Sequence, residues 1–422
     1  MKPAVEDQRL NVADFVDPRR VIKLTAEMIR IPSGTFEEME LARFLSAYMT
    51  GLGLDVELQN VPGPDSTGGQ VVATLPGRGG GRSLLLCGHL DTWAARRSSI
   101  WAKPNSAGSE WTFFRPNEWT KPPFGGDVEE GWIYGVGALD QKGGIAAMVA
   151  AVEALVRSST NLSGDVIVAA VAAEGAGGQG AKQLMADGFK ADMAILTEFT
   201  NLDIVTVSTG GILGCLTVQG DPKLFPPRVD PIAKMIRVLT KLGPTDDPLP
   251  QDGWLTFTED PDLPGYPRLA IREITTTLGS CSARFDLRTV PGVTEDTLRK
   301  DLERICGDMR AADPDLCLSI EVPVPPFSSW PAVQATDLNG TLVSALSRWH
   351  EEVVQKAPRY GSGSRLGAVS DKGHLHLGGI PEVVEYGPGL GEPWPMVDER
   401  CRVDDIVNAA RVIALTAAEV CA

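Results

Sequence analysis

The first half of the chain alternates between helical and strand-like patterns of hydrophobic residues. Apolar residues recur with helical spacing in residues 19–31, 36–51, 143–157 and 181–185. Short apolar runs predict strands at residues 54–59, 70–74, 83–87, 166–171 and 193–196. The continuous run SLLLC at 83–87 is typical of a strand buried on both faces. Strands and helices that alternate in this way predict an α/β domain with a mostly parallel sheet.

The pattern changes near residue 206, where strands with one polar face replace the fully apolar runs. The segments that show the change are alternating strands at 213–219 and 282–287, helical spacing at 231–242 and 295–305, and a Pro- and Asp-rich loop at 243–267. After residue 326 the α/β pattern returns. We therefore predict a catalytic domain formed by residues 1–205 and 325–422, with residues 206–324 inserted as a smaller α+β lid domain.

Composition and charge narrow the classes of function. The 422 residues carry a formal net charge of −16, which disfavours nucleic acid as a partner because phosphate attracts basic proteins. No apolar run reaches the ~20 residues of a membrane span, and the polar N-terminal segment has no signal-peptide pattern. The seven scattered cysteines contain no CxxC pair, which is typical of reduced thiols. We expect a cytoplasmic protein that acts on a small molecule and binds neither nucleic acid nor a membrane.

Residues with metal-binding or catalytic chemistry stand where predicted elements end. His89 and Asp91 follow the strand SLLLC, and Asp140 lies in a glycine-flanked turn that leads into a helix. Glu174 and Glu198 each follow a further apolar strand. An open α/β sheet places its chemistry at the carboxyl ends of its strands, and imidazole with carboxylates suits zinc, manganese or cobalt. Each residue alone is explained as a helix cap or a satisfied polar group, but their recurrence at successive strand ends predicts one shared site.

These motifs resemble those of a known metallohydrolase family. The segments GHLDT, GVGALDQKGGIAAM, AAEGAGGQGA, TEF and YGPG, with CSARFDLRTVPG in the lid, look like those of acetylornithine deacetylase, succinyl-diaminopimelate desuccinylase and carboxypeptidase G. The resemblance covers nearly the whole chain. It implies that His89, Asp140 and Glu198 bind one divalent metal, that Asp91 orients His89, and that the lid forms a homodimer.

The resemblance also implies a second metal at the same site, and the sequence departs from the family pattern at its ligands. The family has a Glu-Glu pair, a general base followed by a metal ligand, where this chain has Glu174 followed by Gly175. The family's other ligand to that metal is a histidine near the C-terminus, and Trp394 or Pro395 takes its place here. We therefore predict one metal per chain and Glu174 as the general base. In the alternative register, Glu174 is the metal ligand and Ala173 occupies the position of the base.

Two histidines and two arginines are further candidates. His374 and His376 either supply a replacement metal ligand or contact the substrate, or else they are surface or packing histidines. Arg365 lies in a glycine-rich segment, and Arg288 lies in the lid strand that resembles the family. Their guanidinium groups are candidates for binding a substrate carboxylate.

The lid also lacks a histidine that the family carries after its first lid strand. In the family this side chain reaches a substrate oxygen, and its loss argues against a routine peptidase or deacetylase. Residues 219–228 contain no histidine, and Lys223 and Arg228 are the alternatives there.

Together these features predict a metal-dependent hydrolase that cleaves a carbon–nitrogen bond in a small carboxylate substrate. The pattern of losses favours hydrolytic deamination of an aromatic amine such as 5-nitroanthranilate, in which hydroxide attacks the ring and ammonia is released. The alternatives are an N-acyl amino acid deacetylase or a small-peptide carboxypeptidase or dipeptidase of the same family. A further alternative is a non-catalytic binding protein that keeps only the fold.

Overall fold

A computed structural model describes residues 12–64, 67–92, 118–221, 229–243, 253, 255–256, 259–362, 367–389 and 397–422. The strands are β1 (Asp55–Pro62), β2 (Thr67–Leu75), β3 (Leu84–His89), β4 (Val128–Glu129), β5 (Trp132–Tyr134), β6 (Val166–Val171), β7 (Met193–Leu196), β8 (Gly210–Gln219), β9 (Arg268–Thr276), β10 (Ser280–Thr289), β11 (Cys317–Glu321), β12 (Glu382–Glu385) and β13 (Arg400–Arg402). The α-helices are α1 (Pro18–Ile29), α2 (Met39–Gly51), α3 (Gly143–Arg157), α4 (Gln179–Ala186), α5 (Pro231–Leu242), α6 (Glu295–Ala312), α7 (Thr341–Val354), α8 (Lys372–Leu377) and α9 (Val403–Val420).

The chain divides into two compact units. The first contains the described residues of Met1–Thr206, Ala335–Arg365 and His374–Ala422, and the second contains those of Val207–Gln334 and Leu366–Gly373. The second unit continues past residue 324, the predicted end of the lid. It does so because Trp330 and Gly211 exchange two backbone hydrogen bonds of 2.9 Å, which join this segment to the start of β8.

The first unit is built on a six-stranded sheet in the order β1-β2-β6-β3-β7-β12. Strands β6, β3, β7 and β12 run parallel to one another, whereas β1 and β2 are antiparallel to their neighbours. Alternate residues of β3 contribute to two hydrophobic layers, with Leu84 and Leu86 in one and Leu85 and Cys87 in the other. Helices α1, α2, α3, α7 and α9 belong to the first layer, and α4 and α8 contribute to the second. The predicted α/β fold with a mostly parallel sheet is confirmed.

The second unit contains a four-stranded antiparallel sheet in the order β11-β8-β10-β9. Its apolar face packs on α5 and α6, and the residues of β10 alternate as the sequence predicts: Ala283, Phe285 and Leu287 are buried in the core. Phe285 lies opposite Gly214 in the register, where a Cβ atom would come within 2.1 Å of the ring. The absence of a side chain at Gly214 therefore makes room for this aromatic residue.

Most predicted elements coincide with observed ones, and the differences have local causes. The helix predicted at residues 36–51 begins only at Met39, because Phe36 has a φ of +65° and the Glu38 side chain accepts the Phe36 N–H. In the part of the chain that the structure describes, no helix is long and apolar enough to cross a membrane.

Candidate metal centre

Three adjacent parallel strands bring the predicted site residues to one edge of the sheet. His89 is the last residue of β3, Glu174 follows the end of β6 by three residues, and Glu198 follows the end of β7 by two. Asp140 comes from a π-helical turn, residues Ala138–Lys142, that leads directly into α3. The sequence rule that chemistry collects at strand ends therefore explains the convergence.

His89, Asp140 and Glu198 form a compact group of metal-ligand side chains. One ligand atom from each lies within 4.8 Å of the others, and the His89 Nε2–Asp140 Oδ1 distance is 2.9 Å. The three residues are buried, with 6%, 8% and 2% of their surface exposed. Two carboxylates beside one imidazole leave excess negative charge in a place without solvent, and this donor set suits a divalent cation. In the described residues no other group of three or more such ligands is found.

The ring of His89 is oriented by the main chain of Asp91, the residue predicted to orient it. Nδ1 lies 2.9 Å from the carbonyl oxygen of Asp91, whereas the nearest carboxylate oxygen of Asp91 lies 3.6 Å away. If Nδ1 carries the proton and donates it to that carbonyl, Nε2, which faces Asp140, is the nitrogen that would bind a metal. Burial lowers the pKa of His89, but the charge and hydrogen bond of Asp140 outweigh burial and hold this pKa well above its usual value.

The carboxylate of Asp91 instead holds the segment that contains Glu174. It accepts the N–H groups of Glu174 and Gly175, each at 3.0 Å, and the hydroxyl of Thr35 at 2.9 Å. Burial raises the pKa of Asp91, but the nearby charge of His89 and the Gly175 N–H lower it below its usual value. Asp91 is therefore an ionised link between the histidine and the segment of Glu174.

A second buried carboxyl group, that of Glu38, holds the residue before Glu174. Its Oε1 accepts the N–H of Ala173 at 3.0 Å and that of Phe36 at 2.8 Å. Ala173 has a φ of +57°, a conformation that places strain on a residue with a Cβ. Burial, with a further contribution from Asp91, raises the pKa of Glu38 to about 8. Sequence reasoning missed Glu38, because it fell inside a helical pattern.

The turn around Asp140 is held by Glu399. One oxygen of this buried carboxylate accepts the N–H groups of Leu139 and Asp140 at 3.0 Å, and the other accepts that of Gly137 at 2.9 Å. The peptide between Asp140 and Gln141 is cis. Burial raises the pKa of Glu399 to about 7, against the lowering effect of its backbone donors.

The acidic pair near the C-terminus, Asp398 and Glu399, holds backbone segments of the first unit. Asp398 accepts the N–H of Thr120 at 2.8 Å and that of Lys121 at 3.2 Å, and Glu399 binds the turn of Asp140. Neither belongs to the group of ligand atoms around His89.

The two histidines of α8 have different surroundings. Nε2 of His374 lies 2.9 Å from the carbonyl oxygen of Gly177, in the turn after Glu174, and burial lowers the pKa of His374 to about 4. Nδ1 of His376 is buried and has no hydrogen-bond partner among the described residues. Neither histidine joins His89, Asp140 and Glu198 in the ligand group.

Of the two arginines and the remaining candidates, the structure describes Arg288. Arg288, in the second unit, donates a hydrogen bond from Nη2 to Asp286 Oδ2 at 3.0 Å and forms an ion pair with Oδ1 at 2.9 Å. The other candidates lie outside the described residues: Arg365, Lys223, Arg228, Trp394 and Pro395.

Comparison with known proteins gives consistent relatives. Residues 112–419 match peptidase family M20/M25/M40. N-formyl-4-amino-5-aminomethyl-2-methylpyrimidine deformylase of Halalkalibacterium halodurans is 24% identical over 406 residues, 88% of this chain and 86% of the relative. Succinyl-diaminopimelate desuccinylase of Methylorubrum extorquens is 30% identical over 299 residues, 67% of this chain and 71% of the relative.

A solved structure supports the fold. A di-peptidase from Saccharomyces cerevisiae superposes with a TM-score of 0.77 and 14% identity, over 98% of each chain. The matched sequence covers most of the chain, and the fold extends over nearly all of it. The chain therefore belongs to peptidase family M20/M25/M40 and is a metal-dependent hydrolase of carbon–nitrogen bonds, as its motifs predict.

Proposed function

We propose that the protein hydrolyses the amide bond of a small N-acylated amine, with a divalent cation held by His89, Asp140 and Glu198. The observation that supports this most strongly is the buried group of three ligands beside the constrained segment that contains Glu174. The relatives named as a deformylase and a desuccinylase support an acyl group on nitrogen as the bond to be cleaved.

In this proposal the residues of the chain divide the work. A divalent cation bound there would act as a Lewis acid toward water and the substrate carbonyl. Glu174 takes the proton of the attacking water and returns it to the departing nitrogen. Asp91 holds the backbone of Glu174 and Gly175 through hydrogen bonds of 3.0 Å and, through its carbonyl group, fixes the ring of His89. Arg288 and Arg365 remain proposed contacts for a substrate carboxylate.

The base assignment is tested by Glu174→Gln. Glutamine keeps the size of the side chain but cannot accept a proton, so we expect kcat to fall about 100- to 10,000-fold with metal content unchanged. The substrates to test are N-formyl and N-succinyl amines, with release of formate or succinate measured. Glu57→Gln, an exposed residue of β1, is the control. A wild-type rate in Glu174→Gln would contradict the assignment.

We further propose one metal per chain, with manganese, zinc or cobalt as the ion. Gly175 has no side chain to offer where the family has its second-metal ligand, and the described residues contain one ligand group. Elemental mass spectrometry of protein purified without chelators should give one equivalent per chain. Two equivalents would contradict the proposal.

Deamination of 5-nitroanthranilate is the second candidate. The observation that favours it is Gly175, because displacement of ammonia from an activated ring places the developing charge on the ring and needs no second cation at a carbonyl. Ammonia released from 5-nitroanthranilate by the wild type, and not by Glu174→Gln, would support this candidate. Release of formate or succinate from amides, with no ammonia from the aromatic amine, would exclude it.

We also propose that the second unit mediates a homodimer. Four of its large apolar side chains are exposed, namely Ile232 (47%), Ile236 (60%), Ile274 (53%) and Leu278 (88%). Such surface often marks a protein interface. Ile236→Glu should convert a dimer to a monomer in light scattering coupled to size exclusion. Leu377→Glu, at a residue of the first unit that is 70% exposed, is the control and should remain dimeric.

A further inference from the structure

The turn that contains Asp140 has an irregular backbone whose N–H groups lack helical partners. Gly137 has a φ of +81°, and Asp140 has a φ of −121° and a ψ of 90°, so neither continues the helix that begins at Gly143. Buried N–H groups in such a turn require acceptors from elsewhere in the protein. The position of the Asp140 carboxylate depends on how this backbone is held.

Glu399 supplies these acceptors from a distant part of the chain. Its carboxylate accepts the N–H groups of Gly137, Leu139 and Asp140 at 2.9 to 3.0 Å, across about 260 residues of sequence. Its carbonyl oxygen accepts the N–H of Gly135 at 2.9 Å. Arg400, the next residue, pairs with Tyr134 between β13 and β5, which fixes the register of Glu399 against the turn.

We propose that Glu399 is a positioning residue for the metal centre, which sets the place of Asp140 through the backbone of residues 137–140. The inference rests on the proposed binding of a cation by Asp140. Both carboxylate oxygens are engaged by N–H groups, so Glu399 acts through the turn and not as a metal ligand.

A carboxylate suits this place better than any other side chain of the same size. One oxygen accepts two N–H groups and the other accepts one, which an ionised carboxylate can do with its two acceptor oxygens. The amide of a glutamine would direct an NH₂ donor at one or two of these N–H donors. Glu399→Gln therefore changes the acceptor pattern with almost no change in volume.

The test compares Glu399→Gln with Glu382→Gln in the apo protein. Glu382 also accepts a partly buried backbone N–H, that of Leu342 at 2.8 Å. This N–H lies at the start of α7, away from the ligands. Titration with MnCl₂ by calorimetry should show affinity lowered about 10- to 100-fold in Glu399→Gln. The Mn²⁺ affinity of Glu382→Gln should remain within about twofold of the wild type, even if its melting temperature falls as far as that of Glu399→Gln. Equal, wild-type affinities in both variants would overturn the proposal.

Glu399→Asp and His89→Ala complete the test of this inference. If Glu399→Gln does not fold, Glu399→Asp retains a carboxylate at a shorter reach, and we expect intermediate Mn²⁺ affinity; a wild-type value there would overturn the inference. His89→Ala separates this inference from the proposed function on which it rests. If His89→Ala binds Mn²⁺ as tightly as the wild type, the metal site itself is wrong. If His89→Ala loses binding while a folded Glu399 variant keeps it, only the role of Glu399 is wrong.

Discussion

In the turn that contains Asp140 and beside the turn that contains Glu174, buried N–H groups are accepted by a carboxyl group from elsewhere in the chain. The two carboxyl groups use their oxygens differently. Glu399 uses both oxygens to accept three N–H groups in the first turn, whereas Glu38 uses one oxygen to accept two N–H groups beside the second. The other oxygen of Glu38, Oε2, is buried and has no hydrogen-bond partner in the part of the chain that the structure describes. The hydrogen bonds around Glu38 therefore fit a neutral carboxylic acid, whereas those around Glu399 fit a carboxylate.

The two turns also differ in how they connect to the histidine. Asp91 accepts two N–H groups from the Glu174 turn and orients His89 through its carbonyl group, so the proposed base and one proposed ligand share a support. Among the proposed site residues that the structure describes, Glu399 contacts only the turn of Asp140. Changes at Asp91 should therefore affect metal binding and rate together, whereas changes at Glu38 should act on the Glu174 side alone.

Among the residues that support the two turns, the largest effect is expected for Asp91→Asn. The amide would direct a donor at the N–H of Glu174 or Gly175 and would remove the negative charge near His89. We expect Mn²⁺ affinity to fall about 10- to 100-fold, with a loss of rate at saturating metal as well. Calorimetry and product release measure the two effects. An affinity loss that excess metal fully repairs would show that Asp91 does not support Glu174.

The next effect concerns stability and compares two substitutions of Glu38. Glu38→Ala removes the acceptor of the Phe36 and Ala173 N–H groups, and we expect unfolding free energy to fall by about 2–4 kcal/mol at pH 7. Glu38→Gln keeps a carbonyl oxygen as acceptor and resembles the neutral acid, so it should lose much less. Urea titration followed by circular dichroism measures both. Equal losses would mean that the hydrogen bonds of Oε1 are unimportant.

A smaller effect is the pH dependence that Glu38 contributes. Its pKa in the folded protein is raised to about 8, mainly by burial, so between the unfolded pKa and pH 8 the folded protein binds more protons than the unfolded one. This contribution to stability is present in full below the unfolded pKa and is lost as pH rises toward 8. Stability of the wild type should therefore fall more between pH 5 and 9 than that of Glu38→Gln. Parallel curves would contradict a neutral Glu38.

Sequence alone predicted the residues whose chemistry follows a local pattern. β6 and β7 were predicted with their observed bounds because each is a continuous apolar run that directly follows an aspartate. α5 was likewise predicted with its observed bounds, with Asp230 as the cap before it and Gly243 after it in a left-handed conformation. His89 and Glu198 followed from the same strand ends.

The supports of the site could not be predicted in this way. Glu399 acts on a turn about 260 residues earlier, and no local pattern encodes such a contact. Glu38 has the spacing of a helical surface residue, and only the packed structure shows that it is buried against Ala173. Local periodicity predicts which backbone forms a strand or helix, but acceptors for irregular turns come from wherever the fold brings them.

The smallest effect concerns the far end of the Glu174 turn, where His374 donates to the carbonyl oxygen of Gly177 at 2.9 Å. Burial lowers the pKa of His374 to about 4, below its unfolded value, so its contribution to stability is present above the unfolded pKa of about 6.5 and is lost as pH falls toward 4. His374→Gln keeps a donor but cannot titrate, so its stability should fall less than that of the wild type between pH 7 and 4. Urea titrations across this range measure the difference. Because His374 supports only one end of one turn, Mn²⁺ affinity at pH 7 should not change, and a loss of affinity would show that the two turns are coupled more closely than their separate carboxyl supports indicate.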